Sequence, residues 1–210
     1  MAHVPVLLDE AIKFLNLRKG SVVLDATVDG GGHAQAIIEK ILSGGKFIGI
    51  DRDETMIQKL KEKLGENKDM RFIAGNFRNA DEILREFNVR QVDAAFFDLG
   101  MSSIQLEESG RGFSYQKDEP LLMTFKAAPL PEDLTAEKIL NSWPKDKIEK
   151  ILREYGEERY WRRISEVVVK ERRKERIKTT FHLIRIIQKA LRRRYGRIHP
   201  ATKTFQALRI

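Results

Sequence analysis

Cysteine is absent from the 210 residues, which excludes a disulfide framework, a thiolate nucleophile and any cysteine-ligated zinc or iron–sulfur centre. Histidine is scarce: His3, His33, His182 and His199 are scattered and give no metal-ligand spacing. Long apolar runs are missing too. Val92–Phe97 has an aspartate inside it and is far shorter than the ~20 residues that cross a bilayer. The first ten residues carry no basic segment and their apolar run stops at Asp9, so they do not read as a signal peptide. The expectation is a soluble cytoplasmic protein that needs no membrane.

What is present suits a folded chain. Hydrophobic residues make up 41% and charged residues 33%, enough for a core, and the length fits one large domain or two small ones. The net charge of +8 is lopsided. Residues 1–100 hold 14 Lys and Arg against 16 Asp and Glu, a net of −2, whereas residues 101–210 hold 25 against 15, a net of +10. Within the second part, residues 151–210 carry 18 basic against 6 acidic side chains. Arg162, Arg163, Arg172, Arg173 and Arg192–Arg194 are clustered there. A near-neutral half followed by a basic half suggests a ligand-binding domain followed by a surface for a polyanion.

The first hundred residues alternate strand and helix. Val22–Asp25 is a short apolar run that reads as a buried strand, and Phe47–Ile50, Arg71–Ala74 and Val92–Phe97 read as three further strands. Between them, Ala34–Leu42 has apolar residues at helical spacing, Asp53 is placed to cap a helix over Glu54–Leu64, and a third helix falls near Asp81–Phe87. Such alternation implies right-handed βαβ units and a parallel, doubly wound sheet. After Gly100 the texture changes. Met101–Leu134 is loop-like, and helical patterns follow at Thr135–Asn141, Lys145–Glu154, Tyr160–Lys174 and Thr180–Arg194.

Three places could carry chemistry. The turn after the first strand holds Gly30, Gly31, Gly32 and His33; its glycines let backbone approach a ligand, and the next helix offers free N–H groups to an anion. Gln35 stands where a dinucleotide fingerprint needs its third glycine. Asp51 closes the second strand, 19 residues beyond Gly32, where a carboxylate can accept both hydroxyls of a ribose. Asp98 ends the fourth strand, at the carboxyl edge where open α/β sheets bind ligands, and could hold a substrate amine or the cofactor.

These residues carry a resemblance. His3-Val-Pro-Val-Leu-Leu8, Gly31-Gly-His33, Asp51-Arg-Asp53, Asp98-Leu-Gly-Met-Ser-Ser103, Arg111-Gly-Phe-Ser114, Tyr155-Gly-Glu-Glu-Arg159 and the run His199 to Ile210 resemble, in order, bacterial small-subunit ribosomal RNA cytidine N4-methyltransferases. The resemblance implies S-adenosyl-L-methionine as cofactor and small-subunit ribosomal RNA or the 30S particle as partner. By it, Gly31, Gly32 and His33 would surround the methionine part, Asp51 the ribose and Phe77 the adenine, with Asp98 and Gln105 completing the pocket. Asp98 is also the candidate catalytic residue, accepting a hydrogen bond from the target amine.

The implied fold is a Rossmann-like class I methyltransferase sheet with an inserted helical domain. Residues 1–106 would be the cofactor-binding half-domain, 107–198 the basic helical domain for substrate recognition, and 199–210 the start of the segment returning to the Rossmann domain. Family members continue beyond this last segment, so the sheet is expected to be incomplete. Val92–Asp98 would then have an open edge, with a homodimer as one outcome. The sequence departs from the family pattern at Asp29, usually glycine, and at Leu122 and Thr124, usually acidic and basic. Two other classes stay open: a non-catalytic RNA-binding relic, and a nicotinamide-dependent enzyme.

Overall fold

In the computed structural model, which describes residues 5–41, 44–101, 106–191 and 199–210, the expected strands form one parallel sheet in the order β3-β2-β1-β4. β1 covers Val22–Asp25, β2 Lys46–Asp51, β3 Met70–Ala74 and β4 Ala94–Phe96. Val23 pairs with Phe47 and Ala94, and Leu24 pairs with Ile48 and Ala95. Successive side chains leave opposite faces of a strand. Val23 and Phe47 therefore enter a core with Val28, Ile37, Ile57, Leu60 and Phe72. Leu24 and Ile48 enter a smaller one with Ile50, Ile83 and Val89.

Helices α2 (Gly32–Ile41) and α3 (Glu54–Leu64) supply the larger core, and α4 (Ala80–Glu86) the smaller. α3 begins where expected, because the Asp53 carboxylate accepts from the Thr55 N–H and hydroxyl. A further helix, α1 (Leu8–Leu15), was not foreseen. Its Ile12 and Leu15 lean on the larger core without being fully buried. The architecture is Rossmann-like α/β. The chain winds outward from β1 to β2 to β3, then crosses back to lay β4 on the other flank of β1. That reversal opens a crevice at the carboxyl ends of β1 and β4, where this class of sheet takes its ligands.

β4 is shorter than the expected Val92–Phe97. The Asp93 carboxylate accepts from the Val22 N–H at 2.7 Å, so regular pairing starts at Ala94. Past Phe96, the Asp98 N–H donates to Thr27 Oγ1 at 2.7 Å and leaves the ladder. Among the described residues no strand pairs with the outer edge of β4, and Ala95 is exposed there.

Met1–Ser102 with Phe125–Ala127 make one compact unit, and Ser103–Thr124 with Ala128–Ile210 make a second. The second is helical: α5 (Ala136–Ser142), α6 (Lys145–Glu154), α7 (Trp161–Glu171), α8 (Thr180–Leu191) and α9 (Thr202–Arg209). α7 packs against α6 and α8 over Ile148, Leu152, Ile164, Val168, Leu183 and Ile187, all fully buried. Residues 199–210, expected to lead back toward the first domain, place α9 against α6 within this unit. Thr180 ties down the preceding loop: its hydroxyl donates to the Lys117 carbonyl at 2.5 Å and accepts from the Glu119 N–H at 3.1 Å.

Gly156 is a tight packing point of this unit. A Cβ there would collide with the Lys203 carbonyl and sit 2.8 Å from Ala207 Cβ and 3.0 Å from the Leu152 carbonyl. Backbone oxygens yield poorly, so Gly156→Ala should destabilise the helical unit by about 1–3 kcal/mol. Thermal unfolding followed by circular dichroism checks this. An unchanged midpoint would mean that α9 is not seated there.

Candidate functional site

The crevice is built from carboxylates. Asp25 ends β1, Asp51 ends β2 and Asp98 follows β4, while Asp29 sits in the turn between β1 and α2. Asp51 is the hub. Its Oδ2 accepts from the Asp29 N–H at 2.9 Å and its Oδ1 from the Asp53 N–H at 2.8 Å. One side chain thus fixes both the glycine turn and the start of α3. Burial, outweighing these two backbone hydrogen bonds, raises its pKa above the ordinary carboxylate value.

Asp25 is wholly buried. Its Oδ1 accepts from the Thr27 N–H at 3.1 Å, and its Oδ2 has no hydrogen-bond partner. Burial first, and then repulsion from Asp51, Asp98 and Asp29, push its pKa to about 7 against the lowering effect of Thr27. Asp29 Oδ1 is likewise buried without a partner. Asp29 has φ +39°, a conformation that suits glycine, and aspartate is among the few side chains to tolerate it. Its departure from the family pattern therefore preserves the turn while adding a half-buried carboxyl group. Gly31, at φ +77°, has no such latitude, because a Cβ there would also strike Leu60 Cδ2.

His33, in the first turn of α2, links the turn to β4. Its Nε2 lies 3.0 Å from the Val6 carbonyl, which can only accept, so the proton is on Nε2. Its Nδ1 faces Asp98 Oδ2 at 3.9 Å, and its ring packs on Phe96 at 4.7 Å. Beyond, Phe97 meets Phe77 edge-on at 5.7 Å, and both are substantially exposed. Six expected site residues (Gly31, Gly32, His33, Asp51, Phe77 and Asp98) thus belong to one connected group, and Gln105 lies outside the described residues. The sequence reading missed Asp25, treating it only as a strand end. The signal was there in an acid closing the apolar run Val22-Val-Leu24.

A cleft of about 640 Å³ lies elsewhere on this unit, between α1 and α2 and lined by Leu8, Ile12, Ala36 and Lys40, and holds none of these residues. Among the described residues no group of His, Asp and Glu is arranged to hold a metal ion, and no helix is long and apolar enough to cross a membrane.

In the helical unit the basic residues divide in two. Arg172 donates to the Leu140 carbonyl at 3.0 Å and the Trp143 carbonyl at 2.7 Å, so this member of the basic cluster is engaged internally. Lys189 and Lys174 converge on Glu171 and hold its carboxyl down at about 2. Arg162 and Arg153, both exposed, lie over the Trp161 ring at 4.6 and 5.4 Å, and Arg153 also pairs with Glu154 at 3.1 Å. Arg192–Arg194 lie outside the described residues.

Comparison with known proteins adds independent information. The family model described as the MraW methylase family matches residues 1–210. Proteins named ribosomal RNA small subunit methyltransferase H are similar along nearly the whole chain. The one from Clostridium botulinum strain Kyoto is 43% identical over 99% of this chain and 67% of its own length. Those from Halothermothrix orenii and Brevibacillus brevis are each 42% identical, over 100% and 99% of this chain and 67% and 66% of their own. The chain thus spans about two thirds of the length of these relatives. A solved chain provisionally described as an rRNA-methylase from Clostridium thermocellum covers 49% of this chain and 59% of its own at TM-score 0.38 and 18% identity, too slight a likeness to bear on function.

The buried acids make stability depend on pH in an unusual direction. A folded pKa near 7 against an unfolded value of 3.8 means that the folded state holds a proton which the unfolded state has lost between those values. Stability is then fully present below pH 4 and declines as pH rises to about 7, by at most about 4 kcal/mol. Urea unfolding of the ligand-free protein at pH 5 and pH 8 should show this decline, and Asp25→Asn should flatten it. Equal slopes for the two proteins would refute the assignment.

Proposed function

The chain belongs to the MraW methylase family, whose members are S-adenosylmethionine-dependent, and from that premise we propose that it methylates small-subunit ribosomal RNA at the exocyclic N4 amine of a cytidine. Family membership excludes the nicotinamide alternative. The site chemistry suits the cofactor. The cofactor is a nucleoside carrying a sulfonium and an ammonium beside one carboxylate, and the crevice offers four acidic side chains to the two cations, two of them with buried, unpartnered oxygens. That donor set is the single observation in the structure that supports the reading most.

Gly31, Gly32 and His33 hold the methionine part, Asp51 the ribose and Phe77 one face of the adenine; Gln105 completes the pocket. Each Asp51 oxygen keeps acceptor capacity beyond its backbone bond. When bound, the cofactor supplies a methyl group already activated on sulfur. The N4 lone pair of cytosine is delocalised into its ring, so the protein's task is orientation more than base strength. Asp98, half-exposed beside His33, accepts a hydrogen bond from the amine and turns its lone pair toward the methyl. The base has to leave its stack to reach a crevice at strand ends.

RNA is held by the basic helical unit. Trp161 with Arg153 and Arg162 is the kind of aromatic–guanidinium group on which unpaired bases stack. A ribosomal RNA substrate supports a cytoplasmic location. The open edge of β4 supports a homodimer as its assembly, which light scattering tests.

Methyl transfer from labelled donor to 30S particles, followed by nucleoside analysis, tests the function directly. N4-methylcytidine is the expected product; another modified nucleoside, or none, removes the proposal. In calorimetric titration, Asp51→Ala should weaken cofactor binding at least about tenfold, since charge-assisted hydrogen bonds contribute roughly 1.5–3 kcal/mol each. Undiminished binding by the variant would exclude the ribose assignment. Affinity for ribosomal RNA should fall steeply with salt, by somewhat under one logarithmic unit per phosphate contacted. Salt-independent affinity would take RNA out of the account.

A further inference from the structure

We propose that Asp25 senses the charge of the ligand, holding a proton while the crevice is free of cations and giving it up when a cationic group of the methyl donor enters. This rests on the cofactor reading above and goes beyond it, because Asp25 was assigned no contact there.

The geometry is that of a carboxyl with no internal counterion. Asp25 lies between the neighbouring strands, opposite Gly49 of β2 and Phe96 of β4. It is fully buried, receives one hydrogen bond from the Thr27 N–H, and leaves Oδ2 without a partner. Among the described residues the charged groups facing it are acidic: Asp51 from the end of β2, Asp98 from beyond β4, and Asp29 from the turn into α2. At the start of α3, Asp53 is a further buried acid, committed to capping. His33 of α2 is directed elsewhere, with Nε2 on the Val6 carbonyl and Nδ1 toward Asp98. Among the described residues no Lys or Arg forms an ion pair with Asp25, Asp29 or Asp51.

A buried carboxylate without a cation is costly, and in its absence the group stays protonated instead. The pKa near 7 agrees with this. A cation entering the crevice reverses the balance. The carboxyl O–H bond breaks, its electron pair stays on the oxygen, and the proton passes to the buffer. Binding of a cationic ligand then strengthens about tenfold per pH unit as pH rises toward 7, and levels off above it.

Two positive charges could be the trigger, the sulfonium or the amino-acid ammonium, and three ligands separate them. S-adenosylmethionine carries both, S-adenosylhomocysteine only the ammonium, and 5′-methylthioadenosine neither. Calorimetry of the 210-residue chain in two buffers of different ionisation enthalpy counts the protons released. S-adenosylmethionine should release roughly 0.8 proton per site at pH 6.5 and under about 0.1 at pH 8.5, given a pKa near 7; 5′-methylthioadenosine should release none. Release with S-adenosylhomocysteine assigns the ammonium, and its absence assigns the sulfonium. Asp25→Asn, whose carbonyl keeps the Thr27 hydrogen bond, should bind with no release. Should that variant not fold, the wild-type proton count alone decides. Binding of S-adenosylmethionine without proton release at pH 6.5, or undiminished release by folded Asp25→Asn, overturns the inference and spares the site. Failure of S-adenosylmethionine to bind overturns both.

Discussion

Two hydrogen bonds to one carboxylate organise the ligand-facing end of the sheet. Asp51 stands at the tip of β2, yet it accepts the N–H of Asp29, 22 residues earlier, as well as that of Asp53. The turn that follows β1 therefore takes its shape from a neighbouring strand. Remove that acceptor and two amides lose their partner in a part-buried place, at a cost of about 1–3 kcal/mol each. The turn would then be free to shift Gly31, Gly32 and His33 together. With His33 would go its contacts to Val6, Asp98 and Phe96. The crevice is thus a single mechanical unit whose fixed point is an acid.

Much of this architecture is legible in the sequence, and the reason is periodicity. β1, β2, α2 and α3 are places where burial and local pattern agree, such as Val22-Val-Leu-Asp25 or the cap Asp53 before Glu54–Leu64. The failures fall where the two part. α1 has the amphipathic pattern without the burial, since its side chains rest on the core only half-covered. β4 loses Val92 and Asp93 to a side-chain bond between Asp93 and Val22, an effect that no propensity carries. The site was readable as a list of residues but not as an electrostatic whole. Asp25, Asp29, Asp51 and Asp98 are spread over 74 positions, and only the topology brings their charges together.

Charge in the helical unit teaches a similar lesson. Sequence arithmetic counts Arg172 and Arg162 alike. In the structure Arg172 satisfies two carbonyls near the C-terminus of α5, while Arg162 lies exposed over Trp161. An arginine is available to a polyanion only if its guanidinium has no better acceptor at home. The basic surface left open to a polyanion is therefore smaller and more aromatic than the net charge suggests.

The two faces of the sheet are not equally clad. Nine buried side chains fill the side covered by α2 and α3, against five on the side of α4. Apolar contact is what keeps a backbone ladder shut to solvent, so local opening should start on the thinly covered side. α4 and the neighbouring stretch of β3 would exchange their amide hydrogens through brief partial openings, while β1 and α2 wait for the whole unit to come apart. Opening of this kind would run along the flank away from the glycine turn and leave the turn in place.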